Sequence, residues 1–234
     1  MRKLSIIIPV YNEERTIATI INQIDAVSLG NQWTKEIVIV NDCSSDGTEG
    51  LLQQIVIDHK SLDISILNQD MNQGKGAAIR KGIKASSGDY IIIQDADLEY
   101  DPSDYQKLLN VVDQKGIDVV YGSRFLEDPW HRPFTSFHTG VNRLLTYLSN
   151  RFTGLGLTDM ETCYKLIKGD IARDLNLNES RFGIEPEITS GLGKIDKLTI
   201  CEVQISYDRR TYDAGKKIGW KDGVRAVYCI MKYR

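Results

Sequence analysis

The sequence has little of what marks membrane-spanning, nucleic-acid-binding or disulfide-stabilised proteins. None of its apolar runs approaches the roughly 20 residues that cross a bilayer. The net charge of −3 predicts no nucleic-acid partner, because such proteins usually carry a strongly basic surface. The four cysteines form no Cys-x-x-Cys pair, and the three histidines add no ligand pattern to them, so we expect no zinc site. Since no signal-like stretch opens the sequence, we expect reduced thiols and a cytoplasmic location.

Three well-known active-site motifs are also missing. No Gly-x-Gly-x-x-Gly follows the first apolar run, which argues against a dinucleotide-binding Rossmann domain. The Gly-Lys-Gly at 74–76 lacks the Ser or Thr of a Walker phosphate loop. No Gly-x-Ser-x-Gly elbow is present for a hydrolase triad.

What the sequence does contain is an alternation of strand and helix patterns. Its 234 residues, 41% of them hydrophobic, suffice for one sizeable core. Short β-branched runs predict strands, and between them apolar residues recur at helical spacing, as in a helix that we expect Asn12 to cap. The pattern predicts an α/β fold with a mostly parallel sheet and right-handed crossovers. The predicted strands cover 4–10, 36–40, 62–66, 90–93, 117–121, 163–167 and 198–207.

Two stretches in the second half depart from this alternation. The strand and helix patterns fail over 127–139, where two prolines, two histidines and a tryptophan predict a mobile loop. The tail, 220–234, is amphipathic, with apolar residues on one face and basic residues elsewhere. Core packing is the favoured interpretation of that apolar face. A basic helix lying on a membrane surface stays open as the alternative.

The predicted strand at 90–93 is followed by Asp95 and Asp97, one alanine apart. In open α/β sheets, ligands bind at the carboxyl ends of the strands. Two carboxylates placed there repel each other unless a cation lies beside them, and Mg²⁺ is bound by one or two carboxylates together with substrate phosphates. The ordinary alternative is a turn and a helix cap at Asp101-Pro102, which accounts for Asp101 and leaves the other two acids unexplained.

Other predicted strand ends carry Tyr11, Asp42 and Lys75. Each has an ordinary interpretation, since Tyr11 could pack in the core, Asp42 could form a turn and Lys75 could be a solvated helix start. The last of these is unfavourable against the helix dipole. Brought together at one edge of the sheet, these side chains suit a nucleotide diphosphate held through a divalent cation.

Several segments together resemble the family 2 inverting glycosyltransferases of GT-A fold. They are Ile-Ile-Ile-Pro-Val-Tyr-Asn-Glu-Glu (6–14), Val-Asn-Asp-Cys-Ser-Ser-Asp-Gly-Thr (40–48), Asn-Gln-Gly-Lys-Gly-Ala-Ala (72–78) and Gln-Asp-Ala-Asp-Leu-Glu (94–99). Later segments resemble the branch of dolichyl- or polyprenyl-phosphate sugar synthases. They are Gly-Ser-Arg (122–124), Thr-Asp-Met-Glu-Thr-Cys-Tyr-Lys (158–165), Phe-Gly-Ile-Glu-Pro-Glu-Ile (182–188) and Arg-Thr-Tyr-Asp-Ala-Gly-Lys-Lys-Ile-Gly-Trp (210–220).

The resemblance implies a single GT-A domain over 1–234. Its Rossmann-like half, 1–101, would bind the nucleotide sugar, and its second half, 102–234, would bind the acceptor. The base and ribose would be held by Pro9, Tyr11, Glu13 and Asp42. The metal, Mg²⁺ or Mn²⁺, would be carried on the diphosphate by Asp95 and Asp97, with Gln94 and Glu99 close by and Lys75 among the donor-binding residues. Arg210 and Lys217 would close over the diphosphate from a mobile segment.

On the acceptor side, the resemblance implies that Arg124 binds a phosphate. The mannose-transferring relatives carry a second phosphate-binding arginine just before the 141–152 helix, and His138 takes that place here. This departure favours UDP-glucose over GDP-mannose as the donor. A lipid phosphate is already anionic at neutral pH, so it needs no general base, whereas a sugar hydroxyl would. The candidate bases are Asp159, Glu185 and Glu187, for which positioning roles are favoured.

The expected function is therefore metal-dependent, inverting transfer of a hexose from a nucleotide diphosphate sugar to a polyprenyl or dolichyl phosphate, at the cytosolic membrane face and for a cell envelope glycan. A glycan or other hydroxyl acceptor remains an alternative. An inactive sugar-nucleotide-binding protein is a third, although intact Asp95, Asp97 and Arg124 argue against it. Peripheral membrane association, a membrane partner and a homo-oligomer all stay open.

Overall fold

The strand and helix patterns of the sequence form one layered α/β structure. The computed structural model describes residues 1–126, 137–208 and 220–234. The strands there are β1 (Arg2–Val10), β2 (Trp33–Asn41), β3 (Asp63–Asn68), β4 (Tyr90–Ile93), β5 (Val119–Ser123), β6 (Lys165–Lys168) and β7 (Ile200–Gln204). The helices are α1 (Ile17–Ala26), α2 (Thr48–Asp58), α3 (Lys75–Ala85), α4 (Tyr105–Lys115), α5 (Phe137–Thr153), α6 (Gly169–Asp174), α7 (Ile184–Leu192) and α8 (Trp220–Tyr233).

The seven strands form a single sheet in the order β3-β2-β1-β4-β6-β5-β7. All pairings are parallel except those of β6, which runs antiparallel to β4 and to β5. The prediction of a mostly parallel α/β sheet is confirmed. The reversed direction of β6 was not predicted, because the residues of a short strand contain no signal for its direction.

The core lies where the Ile- and Val-rich strands are covered by helices. In β1, Ile6, Ile7 and Ile8 are fully buried, as expected for a strand with helices on both faces. Gly82 of α3 lies so close to β1 that a Cβ atom there would overlap the side chain of Ile7. Burial of each such isoleucine stabilises the fold by about 1.5–3 kcal/mol, which holds the central strands at fixed positions beneath the site.

The sheet brings several chain segments to one edge. The carboxyl ends of the six mutually parallel strands meet there. Because β6 runs the other way, its first residue, Lys165, lies at the same edge. Strand β6 separates β4 from β5, so the ends of β4 and β5 are roughly 10 Å apart, two strand spacings. This edge is the place where the sequence predicted a ligand site.

The strand at 90–93 and the cap at Asp101 are confirmed. The Asp101 carboxylate accepts a hydrogen bond from the Ser103 N–H at 2.8 Å, with Pro102 at the first position of a 3-10 turn that leads into α4. The helix cap predicted at Asn12 is wrong, since α1 begins at Ile17. Asn12 instead adopts a left-handed φ of 53°, which asparagine tolerates, and accepts a hydrogen bond from the Ser45 N–H.

The expected loop at 127–139 falls mostly outside the described residues. Its last three positions, 137–139, form the first turn of α5, so the helix begins four residues before the predicted 141. Phe137 stands four residues before Val141 and so continues the apolar helical spacing. None of the helices in the described ranges is both long and apolar enough to cross a membrane.

Candidate active site

The acid pair at the end of β4 is positioned by a buried glutamine. Gln94 accepts hydrogen bonds on Oε1 from the hydroxyls of Tyr105 (2.5 Å) and Tyr164 (2.6 Å). Its Nε2 donates to the backbone carbonyl of Asp95 at 2.9 Å. Gln94 is fully buried, so its role is to fix the backbone from which the two aspartates project.

Asp95 pairs with Lys75, the first residue of α3. The Lys75 Nζ lies 2.7 Å from Asp95 Oδ1 and 3.0 Å from Oδ2. Burial by itself lowers the pKa of Lys75, but the nearby Asp95 outweighs it and holds that pKa well above its usual value. The lysine is therefore a fixed positive charge inside the site and not a solvated helix start.

Asp97 is half-buried beside two other acids, Asp95 and Glu99. Burial, and then the charges of Asp95 and Glu99, raise its pKa to about 7. The Glu99 N–H donates to Asp97 Oδ1 at 3.1 Å, across a turn in which Leu98 has a left-handed φ of 64°. That conformation costs a non-glycine residue roughly 1–2 kcal/mol, so the surrounding contacts hold this turn against its local preference.

In the described part of the chain, no three His, Cys, Asp or Glu side chains are grouped so that they could hold a metal ion by themselves. A metal at Asp95 and Asp97 would need further oxygen ligands from the substrate. This fits Mg²⁺, which usually keeps one or two protein carboxylates together with phosphate oxygens. The oxygen-only donor set suits such an ion, and a cation beside Asp97 would offset the charges of Asp95 and Glu99 that, after burial, raise the pKa of Asp97.

The remaining nucleotide candidates lie at the ends of β1 and β2. Asp42 is buried, and its carboxylate accepts hydrogen bonds from the N–H groups of Gln73 and Gly74, both at 2.7 Å. It therefore shapes the loop that opens α3. Glu13 accepts from the Thr16 hydroxyl, and Pro9 and Tyr11 are half-buried beside it. Contact of these four residues with a base or ribose stays a prediction.

Arg124, just after β5, forms a buried two-point ion pair with Asp159. Its Nε lies 2.7 Å from Asp159 Oδ2 and its Nη2 lies 2.8 Å from Oδ1. Asp159 is fully buried and Arg124 is 8% exposed. Burial disfavours the charge, but Asp159 holds the pKa of Arg124 above its usual value. The pair uses two of the five guanidinium N–H groups, and binding of a phosphate by the others stays a prediction.

Tyr207 connects the two charged centres of the site, which are the Asp95–Asp97 acids with Lys75 and the Arg124–Asp159 pair. Its ring lies 4.9 Å from the Arg124 guanidinium, and its hydroxyl donates to Glu99 Oε2 at 2.7 Å. The Asp208 N–H then donates to the Glu99 carbonyl. Arg210 and Lys217 follow in a segment outside the described residues. His138 lies in the first turn of α5, but its side chain falls outside the described part.

The three candidate bases are engaged with protein donors. Glu187 accepts hydrogen bonds from the N–H groups of Asn178 and Glu179, both at 2.8 Å. Asp159 pairs with Arg124, and Glu185 pairs with Lys165. These contacts favour positioning roles, as expected. Lys165, which is fully buried, was missed by the sequence analysis, and only the reversed direction of β6 places it at this edge.

The family model for glycosyl transferase family 2 matches residues 5–175, most of the chain. The chain belongs to this family. This membership agrees with the resemblance carried by the motifs at 6–14 and 94–99.

Relatives of this family 2 glycosyltransferase include an undecaprenyl-phosphate 4-deoxy-4-formamido-L-arabinose transferase of Yersinia enterocolitica. That protein is 33% identical over 159 residues, which are 68% of this chain and 46% of the relative. The chain thus spans about half the length of the curated transferases it matches. An uncharacterized protein of Methanocaldococcus jannaschii is 27% identical over 222 residues, covering 91% of this chain and 93% of that one.

Among solved structures, this transferase is similar to glucosyl-3-phosphoglycerate synthase from Mycobacterium tuberculosis. The complex of that enzyme with Mn²⁺, uridine diphosphate and glucosyl-3-phosphoglycerate gives a TM-score of 0.71 at 18% identity, covering 99% of this chain and 80% of the synthase. Its complex with Mg²⁺ and uridine diphosphate gives 0.69 at 17% identity, covering 99% and 79%. The fold is the predicted GT-A fold.

Proposed function

We propose that this glycosyltransferase moves a hexose from a nucleotide diphosphate sugar to a polyprenyl phosphate, with inversion and with Mg²⁺ or Mn²⁺. UDP-glucose is the favoured donor and GDP-mannose the next. The observation that carries the proposal is the placement of two centres at one sheet edge, the acids after β4 and the buried Arg124 after β5. Their strands are roughly 10 Å apart, which leaves room for one sugar between a leaving diphosphate and an attacking phosphate.

The donor half of the site would bind the diphosphate beside Lys75. Asp95 and Asp97 would hold the metal, which when bound supplies positive charge against the leaving diphosphate. Lys75 adds a fixed positive charge at the same place without any rearrangement during the reaction. Tyr105 and Tyr164, acting through Gln94, keep the acids in position.

On the acceptor side, Arg124 would bind the phosphate that attacks the sugar. A planar guanidinium held by Asp159 presents its other N–H groups in a fixed direction, which suits an oxyanion. A phosphate monoester is ionised at neutral pH and can attack without losing a proton. The site therefore needs no general base, in keeping with three carboxylates that are engaged by protein donors. Attack from the face opposite the diphosphate inverts the anomeric carbon.

Two different groups of similar proteins support the proposed acceptor and the proposed nucleobase of the donor. The bacterial relatives are named for transfer to undecaprenyl phosphate, which supports a polyprenyl phosphate here. The sugar in their name is a modified pentose, so these relatives do not support the proposed hexose. The solved synthase binds uridine diphosphate with Mn²⁺ or Mg²⁺, and this supports a uridine nucleotide and a divalent metal.

The proposal predicts a lipid-linked sugar as the product. The protein would be incubated with a short-chain polyprenyl phosphate, Mn²⁺ or Mg²⁺, and UDP-glucose or GDP-mannose in parallel. We expect metal-dependent formation of a polyprenyl-phosphate hexose, fastest with UDP-glucose, and loss of the product when the metal is chelated. Nucleotide release without a lipid product would point to a glycan acceptor, and binding of a donor without turnover would point to an inactive binding protein.

Exposed apolar side chains on two helices form a candidate surface for the lipid. Helices α5 and α8 pack through Leu145 and Ile230, and each leaves apolar side chains exposed on its other face. These exposed residues are Leu144, Tyr147, Val224, Val227, Tyr228 and Met231. A pocket of about 280 Å³ next to α5 is lined by Phe125, which adjoins Arg124, and by Arg143. We propose that this α5–α8 face rests on an anionic bilayer, so that the acceptor phosphate reaches Arg124 from the membrane surface.

The α5–α8 face can be tested on vesicles. The double variant Tyr147→Asp/Tyr228→Asp is expected to lower co-sedimentation with anionic phospholipid vesicles about tenfold or more, because it removes apolar contact and adds repulsive charge. Ile57→Asp is the matched control, since Ile57 is 57% exposed on α2. Equal binding by the double variant and the control would rule out this face as the docking surface.

A further inference from the structure

Three buried polar atoms near the candidate active site make no hydrogen bond in the described part of the protein. They are Glu161 Oε1, Thr162 Oγ1 and Glu185 Oε1. Thr162 is fully buried and Glu185 is 5% exposed. Buried polar atoms almost always have a partner, and leaving one without costs about 1–3 kcal/mol. A ligand that supplies hydrogen bonds would account for this group of atoms.

Two of the three atoms, those of Glu161 and Thr162, belong to a chain segment between the two charged centres, and the third, Glu185 Oε1, comes from α7. The segment starts at Asp159, which pairs with Arg124, and ends at Lys165, which pairs with Glu185. The Lys165 amine also donates to the Thr162 carbonyl. Lys165 thus holds Thr162 and Glu185 next to each other, and Glu161 stands in the chain between Asp159 and Thr162.

Glu185 also reaches the donor side of the site. Its Oε1, which accepts no hydrogen bond, makes an ion-pair contact of 3.5 Å with Lys75 Nζ, and that amine also pairs with Asp95. The segment therefore runs from the diphosphate side, at Asp95 and Lys75, to the acceptor side, at Arg124. The transferred sugar would have to lie between these two sides.

The electrostatics of this place select against an anion. Burial, and then the charge of Glu185, raise the pKa of Glu161 to about 7. The neighbouring carboxyl groups of Glu161 and Glu185 would repel a phosphate or a carboxylate brought next to them. Hydroxyl groups suit them, because a carboxylate accepts hydrogen bonds from hydroxyls and a protonated carboxyl also donates one.

We propose that Glu161, Thr162 and Glu185 form the subsite for the hydroxyl groups of the transferred sugar, and that Glu161 selects neutral hexoses over hexuronic acids. This inference rests on the proposed function only in requiring a nucleotide sugar as donor. It does not depend on which acceptor is used. Glu185 holds its place through Lys165, so Glu161, which has no such ion pair among the described residues, is the better residue to change.

The test is a comparison of nucleotide and nucleotide-sugar affinities. Calorimetry with Mn²⁺ would measure UDP, UDP-glucose and UDP-glucuronate, together with GDP and GDP-mannose, on the intact protein. We expect one neutral hexose nucleotide to bind more tightly than its bare nucleotide. Glu161→Leu should weaken that complex about tenfold or more, the value of a hydrogen bond to a charged group, without changing affinity for the bare nucleotide. Glu49→Leu, an exposed change on α2, should alter neither.

Glu161→Gln gives a readout that a purely structural role would not change. It keeps the size of the side chain and removes its charge, so UDP-glucuronate should gain affinity relative to UDP-glucose. Equal losses for nucleotide and nucleotide sugar, or no preference for any hexose nucleotide, would overturn the subsite. A sugar-dependent affinity that disappears in Glu161→Leu, together with no lipid-linked product, would overturn the proposed acceptor and leave the subsite standing.

Discussion

Asp97→Asn is expected to abolish sugar transfer while leaving the fold intact. The amide keeps the shape of the side chain but removes one of the two carboxylates proposed to hold the metal at the diphosphate. Loss of that charge stabilisation should lower kcat at least about 10³-fold. Asp101→Asn is the matched control in the same segment, because asparagine caps a helix as well as aspartate does. Full activity in Asp97→Asn would contradict the metal assignment.

Although Asp97→Asn should abolish activity, it should make the ligand-free protein more stable at high pH. The folded protein holds the Asp97 proton up to a pKa of about 7, well above the usual 3.8. Between those pH values the folded state binds more protons than the unfolded state, so this group makes the protein less stable as pH rises. Asparagine cannot ionise, so the ligand-free variant should have the higher Tm at pH 8 and little advantage at pH 4.

Adding Mn²⁺ and UDP should then separate the two proteins. The wild type is expected to gain stability in proportion to ligand binding, whereas Asp97→Asn should gain much less. Thermal unfolding at both pH values, with and without Mn²⁺ and UDP, gives all four comparisons. An equal rise in Tm for both proteins would show that Asp97 takes no part in binding the metal and nucleotide.

The second large effect is expected at Arg124. Arg124→Met removes the proposed phosphate ligand and leaves the fully buried Asp159 carboxylate unpaired. Breaking a buried ion pair from one side typically costs about 3–5 kcal/mol of unfolding free energy. Activity should fall by about 10²–10³-fold or more, from the lost charge at the attacking phosphate. Urea unfolding and the lipid-transfer assay would measure the two effects.

A double variant separates folding from catalysis at this position. Arg124→Met/Asp159→Leu replaces both charges by apolar groups, which for buried pairs is often neutral or stabilising. We expect it to recover most of the unfolding free energy and none of the activity. Arg124→Lys keeps the charge but loses the two-point geometry. Its activity and unfolding free energy should therefore lie between those of the wild type and of Arg124→Met. If the double variant transfers sugar, Arg124 is part of the scaffold only.

The local pattern predicted those elements whose signal is contained in a few neighbouring residues. The strand at 90–93 was found at its true bounds, because four apolar residues ending in three isoleucines suit only a buried strand. The cap at Asp101 was found because the aspartate and the following proline act within one turn. The cap predicted at Asn12 is wrong because the side chain acts outside its own turn. Its Oδ1 accepts a hydrogen bond from the N–H of Ser45, 33 residues away in the sequence.

The sequence by itself determined the family, the alternation of strands and helices, and the placement of acids and Lys75 at strand ends. Tertiary structure alone decided which charges meet. Lys75 and Asp95 are 20 residues apart, Arg124 and Asp159 are 35 apart, and Lys165 enters the site only because β6 runs against its neighbours. The physical reason is that periodicity reports burial of a residue along its own element, whereas ion pairs depend on strand order and direction across the sheet. The oxygens of Glu161 and Thr162 that lack a hydrogen bond in the described part of the chain are likewise identified only from the tertiary structure.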